Sequence, residues 1–145
     1  AAIESSPEAI HALHGTTATG RCLNRACLHR GNPREWSPNS DGVPMCPVCG
    51  GPTRPDVVLF GEGLDPAVYS AAEAAVQTCA VVVLVGTSLE VTPAANIALD
   101  AVYQGTPIHW INPAPPPPSV ECSDKLADHR GTADDVLPSL LEVSG

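Results

Sequence analysis

The sequence predicts an α/β fold: part of a doubly wound parallel sheet with a small four-cysteine zinc ribbon in its first half. Three observations lead there. From residue 56 onward, apolar runs that read as strands alternate with stretches of helical period. Residues 80–85 are apolar without interruption, the pattern of a parallel strand covered on both faces. Two cysteine pairs, Cys22 with Cys27 and Cys46 with Cys49, lie eighteen residues apart.

The 145 residues are one domain's worth of chain, or a domain with a small insert. With a hydrophobic fraction of 43% but five aromatic residues, the core must be packed by alanine, valine and leucine. A net charge of −9 lacks the basic footprint of a nucleic-acid binder, so direct nucleic-acid binding is not expected. An acidic surface suits basic protein tails, although solubility is the simpler explanation. No apolar stretch is long enough to span a bilayer, and no membrane association is expected. Thiolate metal ligands without a basic-then-apolar leader point to a reducing compartment, the cytoplasm.

Along the chain, residues 1–10 have no clear period, and Leu13-His14-Gly15-Thr16-Thr17 reads as a short strand or strand end. Residues 22–49 are polar and rich in turns, with Asn32-Pro33, Ser37-Pro38 and Asp41-Gly42, and have little core of their own without a metal. Residues 56–60 form an apolar strand candidate ended by Gly61. Asp65 and Pro66 supply an N-cap and first helical residue, and Val68, Ala72, Ala75, Val76 and Cys79 recur at helical spacing. After the strand at 80–85, Thr92-Pro93 caps a second helix to about Gln104, with Gly105 as its stop. Residues 107–111 make a third strand. Residues 115–118, four prolines, form a stiff connector. Residues 125–130 read as a fourth strand, and 132–143 as a last helix whose Pro138 must fall near the first turn to avoid breaking it. No glycine-rich strand-to-helix turn is present, so on physical grounds this is half of a nucleotide-binding, Rossmann-like fold. Its organisation is a partial Rossmann-like, nucleotide-binding type of domain at 1–21 and 50–145, interrupted by a zinc module at 22–49.

Each cysteine pair needs a tight turn to face two thiolates toward one ion, and Pro44, Pro47, Gly50 and Gly51 supply turn chemistry around the second pair. Four thiolates, Cys22, Cys27, Cys46 and Cys49, close a zinc tetrahedron and leave no position for water, so the metal is structural. Disulfide pairing or simple burial is the other explanation, and His11 or His29 is an alternative ligand, although Cys27 fits its turn better. Cys79 and Cys122 stand apart.

In this order, His14-Gly15, the four-cysteine module, Arg54-Pro55-Asp56-Val57-Val58-Leu59-Phe60-Gly61-Glu62, the stretch from Val85-Gly86-Thr87-Ser88 to Val91-Thr92-Pro93, Ile111-Asn112-Pro113 and Arg130-Gly131-Thr132-Ala133-Asp134 resemble the sirtuins. These are NAD-dependent protein-lysine deacylases, and the resemblance runs from about Leu13 to Leu141. It implies NAD as cosubstrate and an acylated-lysine protein or peptide as partner. It also implies that His14 is the catalytic base: after nicotinamide leaves and the acyl oxygen attacks the ribose, this imidazole draws a proton from a ribose hydroxyl. Gly86, Thr87 and Ser88, with Asn112 and Ala133, match positions that meet the cofactor. Val58 and Phe60 match the tunnel for the acylated lysine stem, and Gly61, Glu62 and Val91 match the segments that hold the peptide as an added strand.

The chain departs from the family pattern in lacking the upstream glycine-rich loop and the segment that binds nicotinamide. An N-terminal half of the same fold is therefore an expected partner, and the 145 residues alone are expected to be inactive. Two other functions remain open at this point. One is a non-catalytic zinc-containing module that binds peptides; the other is an NAD-dependent ADP-ribosyl transferase on the same half site.

Overall fold

A computed structural model describes residues 10–142, and these residues divide between two compact units, Ala1–Val68 and Tyr69–Gly145. The first unit is built on an antiparallel sheet. Strands β1 (Gly15–Cys22), β2 (Arg30–Gly31) and β3 (Thr53–Val57) lie in the order β2-β1-β3. β1 and β3 pair from Gly15 opposite Val57 and Thr16 opposite Asp56 to Gly20 opposite Pro55 and Cys22 opposite Thr53. Between Thr16 and Gly20, β1 advances four residues while β3 advances one, so residues 17–19 bulge out.

Two glycines permit the close approaches in this sheet. Gly15 has φ +73°, and a Cβ there would fall 2.0 Å from the Asp56 carbonyl oxygen. A Cβ on Gly20 would lie 2.7 Å from Cζ3 of Trp36, whose buried ring covers both Gly20 and Gly31. The zinc module therefore has an aromatic anchor besides its cysteines. Replacing Gly20 by alanine is expected to displace Trp36 and destabilise the first unit by about 1–3 kcal/mol, the usual cost of overpacking. The denaturant midpoint checks it, and an unchanged midpoint would show that the ring has room to shift.

The second unit is a parallel sheet of β4 (Val82–Val85), β5 (Ile108–Ile111) and β6 (Leu126–His129), in the order β4-β5-β6. Its helices are α2 (Ala94–Tyr103), the single turn α3 (Pro118–Glu121) and α4 (Ala133–Glu142), while α1 (Pro66–Thr78) precedes β4. Leu84, Ile108 and Trp110 from one sheet face pack with Ala98, Ala101 and Val102 of α2 and with Val120 of α3. Alanine on α2 lets the helix sit close to the sheet. Trp110 is fully buried and its indole N–H donates to the Ala114 carbonyl at 3.0 Å, so its polar atom is satisfied.

Asp65 caps α1 as expected, its carboxylate accepting from the Ala67 N–H at 2.9 Å. Other expectations need correction. The strand expected at 56–60 is Thr53–Val57, because pairing with β1 decides its register; Val58 leaves the ladder after donating its N–H to the His14 carbonyl. No side chain caps the start of α2. Pro138 sits in the interior of α4, not its first turn, so that helix forgoes one backbone bond and persists. The proline run ends by starting α3, which buries Val120. The strand expected to be covered on both faces lies at a sheet edge among the described residues, with Val83 and Val85 45% and 39% exposed. Residues 1–9 lie outside the described residues, as does the end of the last predicted helix at Val143. Among the described residues no helix is long and apolar enough to cross a membrane.

Candidate functional site

The four cysteines expected to bind metal converge. Their sulfurs all lie within 4.8 Å of one another, with Cys22 Sγ to Cys49 Sγ at 3.5 Å and Cys27 Sγ to Cys46 Sγ at 3.7 Å. A tetrahedron with Zn–S bonds of about 2.3 Å has sulfur–sulfur edges of about 3.8 Å, close to the two shortest separations here, so the four thiols suit a zinc ion. Local turns aim them. Gly50 N–H donates to the Cys46 carbonyl at 2.8 Å, Cys46 N–H to the Gly51 carbonyl at 2.9 Å, and Cys27 N–H to the Asn24 carbonyl at 2.9 Å. All six cysteines are free thiols, which excludes the disulfide explanation for this cluster.

The thiols are electrostatically unequal. Burial pushes the Cys22 thiol up to about 12. Burial also acts to raise Cys46, but the N–H groups of Cys49 and Val48 donate to its sulfur and hold it at about 7. Four thiolates in so small a volume require a cation, and zinc uptake must expel protons.

His14 is exposed at the start of β1, and its carbonyl accepts the Val58 N–H at 2.9 Å, so the backbone ties these two predicted site residues together. Val58 lines an open groove of about 620 Å³ together with the apolar Leu13, Leu64 and Val68 and the charged Arg21, Asp56 and Glu62. Phe60, at 96% exposed, and Gly61, with φ +86°, form the tip of the following turn.

Glu62 closes that turn. Its N–H donates to the Leu59 carbonyl at 2.9 Å, and its carboxylate accepts the Leu59 N–H at 3.0 Å. The same carboxylate accepts from Arg54 Nη2 and, at 3.3 Å, from Arg21 Nη2. The Arg54 guanidinium, helped by the Leu59 N–H, holds the Glu62 carboxyl below its ordinary 4.5. A depressed carboxylate stabilises the fold fully above its unfolded value and loses that contribution as pH falls through the folded one. The stability difference between wild type and Glu62→Gln is therefore expected at neutral pH and should vanish on acidification below 4.5. Urea unfolding across that range checks it; a constant difference would show that the charge is irrelevant.

In the second unit, the three sets of predicted cofactor residues meet at one edge of the sheet. Gly86, Thr87 and Ser88 follow β4, Asn112 follows β5, and Ala133 opens α4 just after β6. Because the strands are parallel, all three turns lie at carboxyl ends, where ligands of such sheets bind. Asn112 Nδ2 donates to the Thr87 carbonyl at 2.9 Å, and Gly86 N–H to the Ile111 carbonyl at 3.0 Å, fastening the first two turns. Val91 belongs to this unit and is exposed, whereas Val58, Phe60, Gly61 and Glu62 belong to the first.

Sequence reasoning missed the partners of Glu62. Arg54 stands eight residues away and Arg21 forty-one, and neither spacing is a local signal. It also missed Arg30 and Asp56, whose ion pair at 2.7 Å joins β2 to β3.

A parallel sheet with its turns gathered at the carboxyl edge, joined in one chain to a four-cysteine cluster that could hold zinc, defines an α/β protein of Rossmann-like type. The Sir2 family model matches residues 4–93, and the chain belongs to that family. Relatives include the NAD-dependent protein deacylase Sir2 of Mycolicibacterium smegmatis, 36% identical over 135 residues, covering 92% of this chain and 55% of the relative. The NAD-dependent protein deacetylase 2 of Streptomyces coelicolor is 38% identical over 138 residues, covering 92% and 54%. Among solved structures, a Sir2 homologue in complex with NAD aligns with a TM-score of 0.76 at 34% identity, over 90% of this chain and 49% of that one. A mutant Sir2 homologue in complex with ADP-ribose aligns with a TM-score of 0.77 at 35% identity, over 90% and 50%. The chain spans about half the length of the relatives it matches.

Proposed function

We propose that this chain is the zinc-bearing, C-terminal portion of an NAD-dependent protein-lysine deacylase that acts in the cytoplasm on acylated-lysine proteins or peptides. We place its partial dinucleotide-binding domain at 1–21 and 50–145, around a zinc module at 22–49. The observation that carries the reading is the gathering of Gly86 to Ser88, Asn112 and Ala133 at the carboxyl edge of β4, β5 and β6. There, backbone and amide groups would hold the adenosine part of NAD, with the Asn112 amide, already oriented by the Thr87 carbonyl, near a ribose hydroxyl. NAD would supply the electrophilic ribose that receives the acyl oxygen. The exposed His14 imidazole would accept a proton, the role for which imidazole is suited at physiological pH. Val58 and Phe60 would receive the lysine stem, and the segments at Gly61-Glu62 and Val91 would grip the peptide backbone, so that preference for flanking sequence is loose.

The reading includes a partner, the remaining half of the fold. Its support is β4, an apolar parallel strand with an open edge among the described residues and exposed Val83 and Val85, which another strand and helix would cover. The test is to combine the chain with the N-terminal half of a Sir2 relative, add NAD and an acetyl-lysine peptide, and analyse products by mass spectrometry. Deacylated peptide with an acyl-ADP-ribose is the expected result. Peptide carrying ADP-ribose would replace the reading with transfer, and peptide binding without turnover or NAD affinity would replace it with a non-catalytic module.

A further inference from the structure

Glu62 stands in the turn assigned above to peptide binding, yet its exposed carboxylate is engaged by arginines of β1 and β3. The acceptor capacity of its two oxygens is taken up by Arg54 of β3, Arg21 of β1 and the Leu59 N–H. A carboxylate engaged on three sides has little left to offer a peptide. What it does is close residues 59–62 into a ring, through its own N–H to the Leu59 carbonyl and its side chain to the Leu59 N–H. That ring holds up Phe60, which has almost no packing of its own, and Gly61 with its left-handed backbone. Both arginines come from the strand pair whose first strand leads into Cys22 of the zinc site.

We infer that Glu62 is a positioning residue, and that the Arg21–Glu62–Arg54 cluster is a clamp that fixes the 58–62 turn on the β1–β3 sheet in the shape an acyl-lysine peptide requires. The inference rests on the proposed peptide site but makes a separate claim about it. Affinity comes from a turn held ready, because a mobile turn would have to be ordered when the peptide binds. Glu62 itself would touch no peptide atom through its carboxylate.

The experiment uses the zinc-loaded chain, an acetyl-lysine peptide, and amide hydrogen exchange read by NMR. Glu62→Gln keeps an oxygen for the Leu59 N–H but loses the charge that binds the arginines; Glu62→Ala loses both. The expected result is exchange at Leu59 and Glu62 about tenfold faster in Glu62→Gln and faster still in Glu62→Ala, with peptide affinity falling in parallel by about tenfold. Arg54→Lys, which keeps a cation beside the carboxylate, is expected to restore most of both readouts relative to Arg54→Met. Exchange across the β1–β3 ladder from Gly20 to Cys22 should stay unchanged, which shows that the unit carrying Glu62 is folded in the variants. Unaltered exchange at Leu59 in Glu62→Ala overturns the clamp. So does lost affinity with unaltered exchange in the turn, which would make Glu62 a direct contact. If the wild-type chain binds no peptide, the peptide-site reading fails on that result alone, and the Leu59 amide still decides whether the clamp exists.

Discussion

Removing zinc, by a strong chelator or through Cys46→Ser, is expected to unfold residues 22–49 while the parallel sheet of the second unit keeps its protection. The reason is how little else holds that segment. Its regular structure is the two-residue strand Arg30–Gly31 and one turn at Pro33–Glu35, and its packing centres on Trp36 and on the sulfurs themselves. Cys46 is 2% exposed, and its carbonyl and N–H form the turn that carries Cys49. Structural zinc contributes roughly 10–16 kcal/mol of apparent binding energy in small zinc-finger peptides, as much as the whole stability of an ordinary domain. Without the ion, four thiols crowd into a space whose burial disfavours charge at Cys22, and nothing replaces the lost bonds. Amide exchange before and after chelation reads the effect. Equal protection of residues 22–49 in both states would show that Trp36 and the turns suffice. Because uptake expels protons, zinc affinity should also fall as the pH is lowered.

If the proposed reconstitution with the N-terminal half of a Sir2 relative gives turnover, replacing His14 by alanine is expected to lower kcat by about 100-fold to 10,000-fold, the range for loss of a general base. Folding should be spared. The ring is exposed, and what the sheet takes from residue 14 is its carbonyl, which alanine retains for the Val58 N–H. NAD affinity should be spared too, since the residues assigned to the cofactor are Gly86, Thr87, Ser88, Asn112 and Ala133, on turns of the second unit. Calorimetric NAD binding and single-turnover rates separate these effects. Retained turnover would remove His14 from the catalytic role, and lost NAD affinity would make it a binding residue instead.

The zinc site was legible because cysteine spacing is a local quantity. Residues 22, 27, 46 and 49 carry their turns with them, and closing one tetrahedron brings the pairs together. The gathering of the turns at Gly86, Asn112 and Ala133 was legible for a related reason: when strands are parallel, each turn that follows a strand must lie at the same sheet edge. Glu62 was legible as part of a motif but not in its role, because the direction of its carboxylate depends on Arg21, which only the β1–β3 pairing brings near.

By itself, then, the sequence determined the order of the strands and of the three longer helices after residue 65, the cysteines that converge and the turns that end β4 and β5. These follow from periodicity, turn residues and sulfur chemistry acting over a few neighbouring positions. Tertiary structure decided the rest. It set β3 at Thr53–Val57 through pairing with β1, and it gave the proline run a helical end where Val120 reaches the core. It also left an apolar strand at the open edge of its sheet among the described residues and brought Glu62 against Arg21 and Arg54. Each of these depends on which distant group arrives to satisfy a backbone donor, a charge or an apolar face, and that is settled by packing in three dimensions.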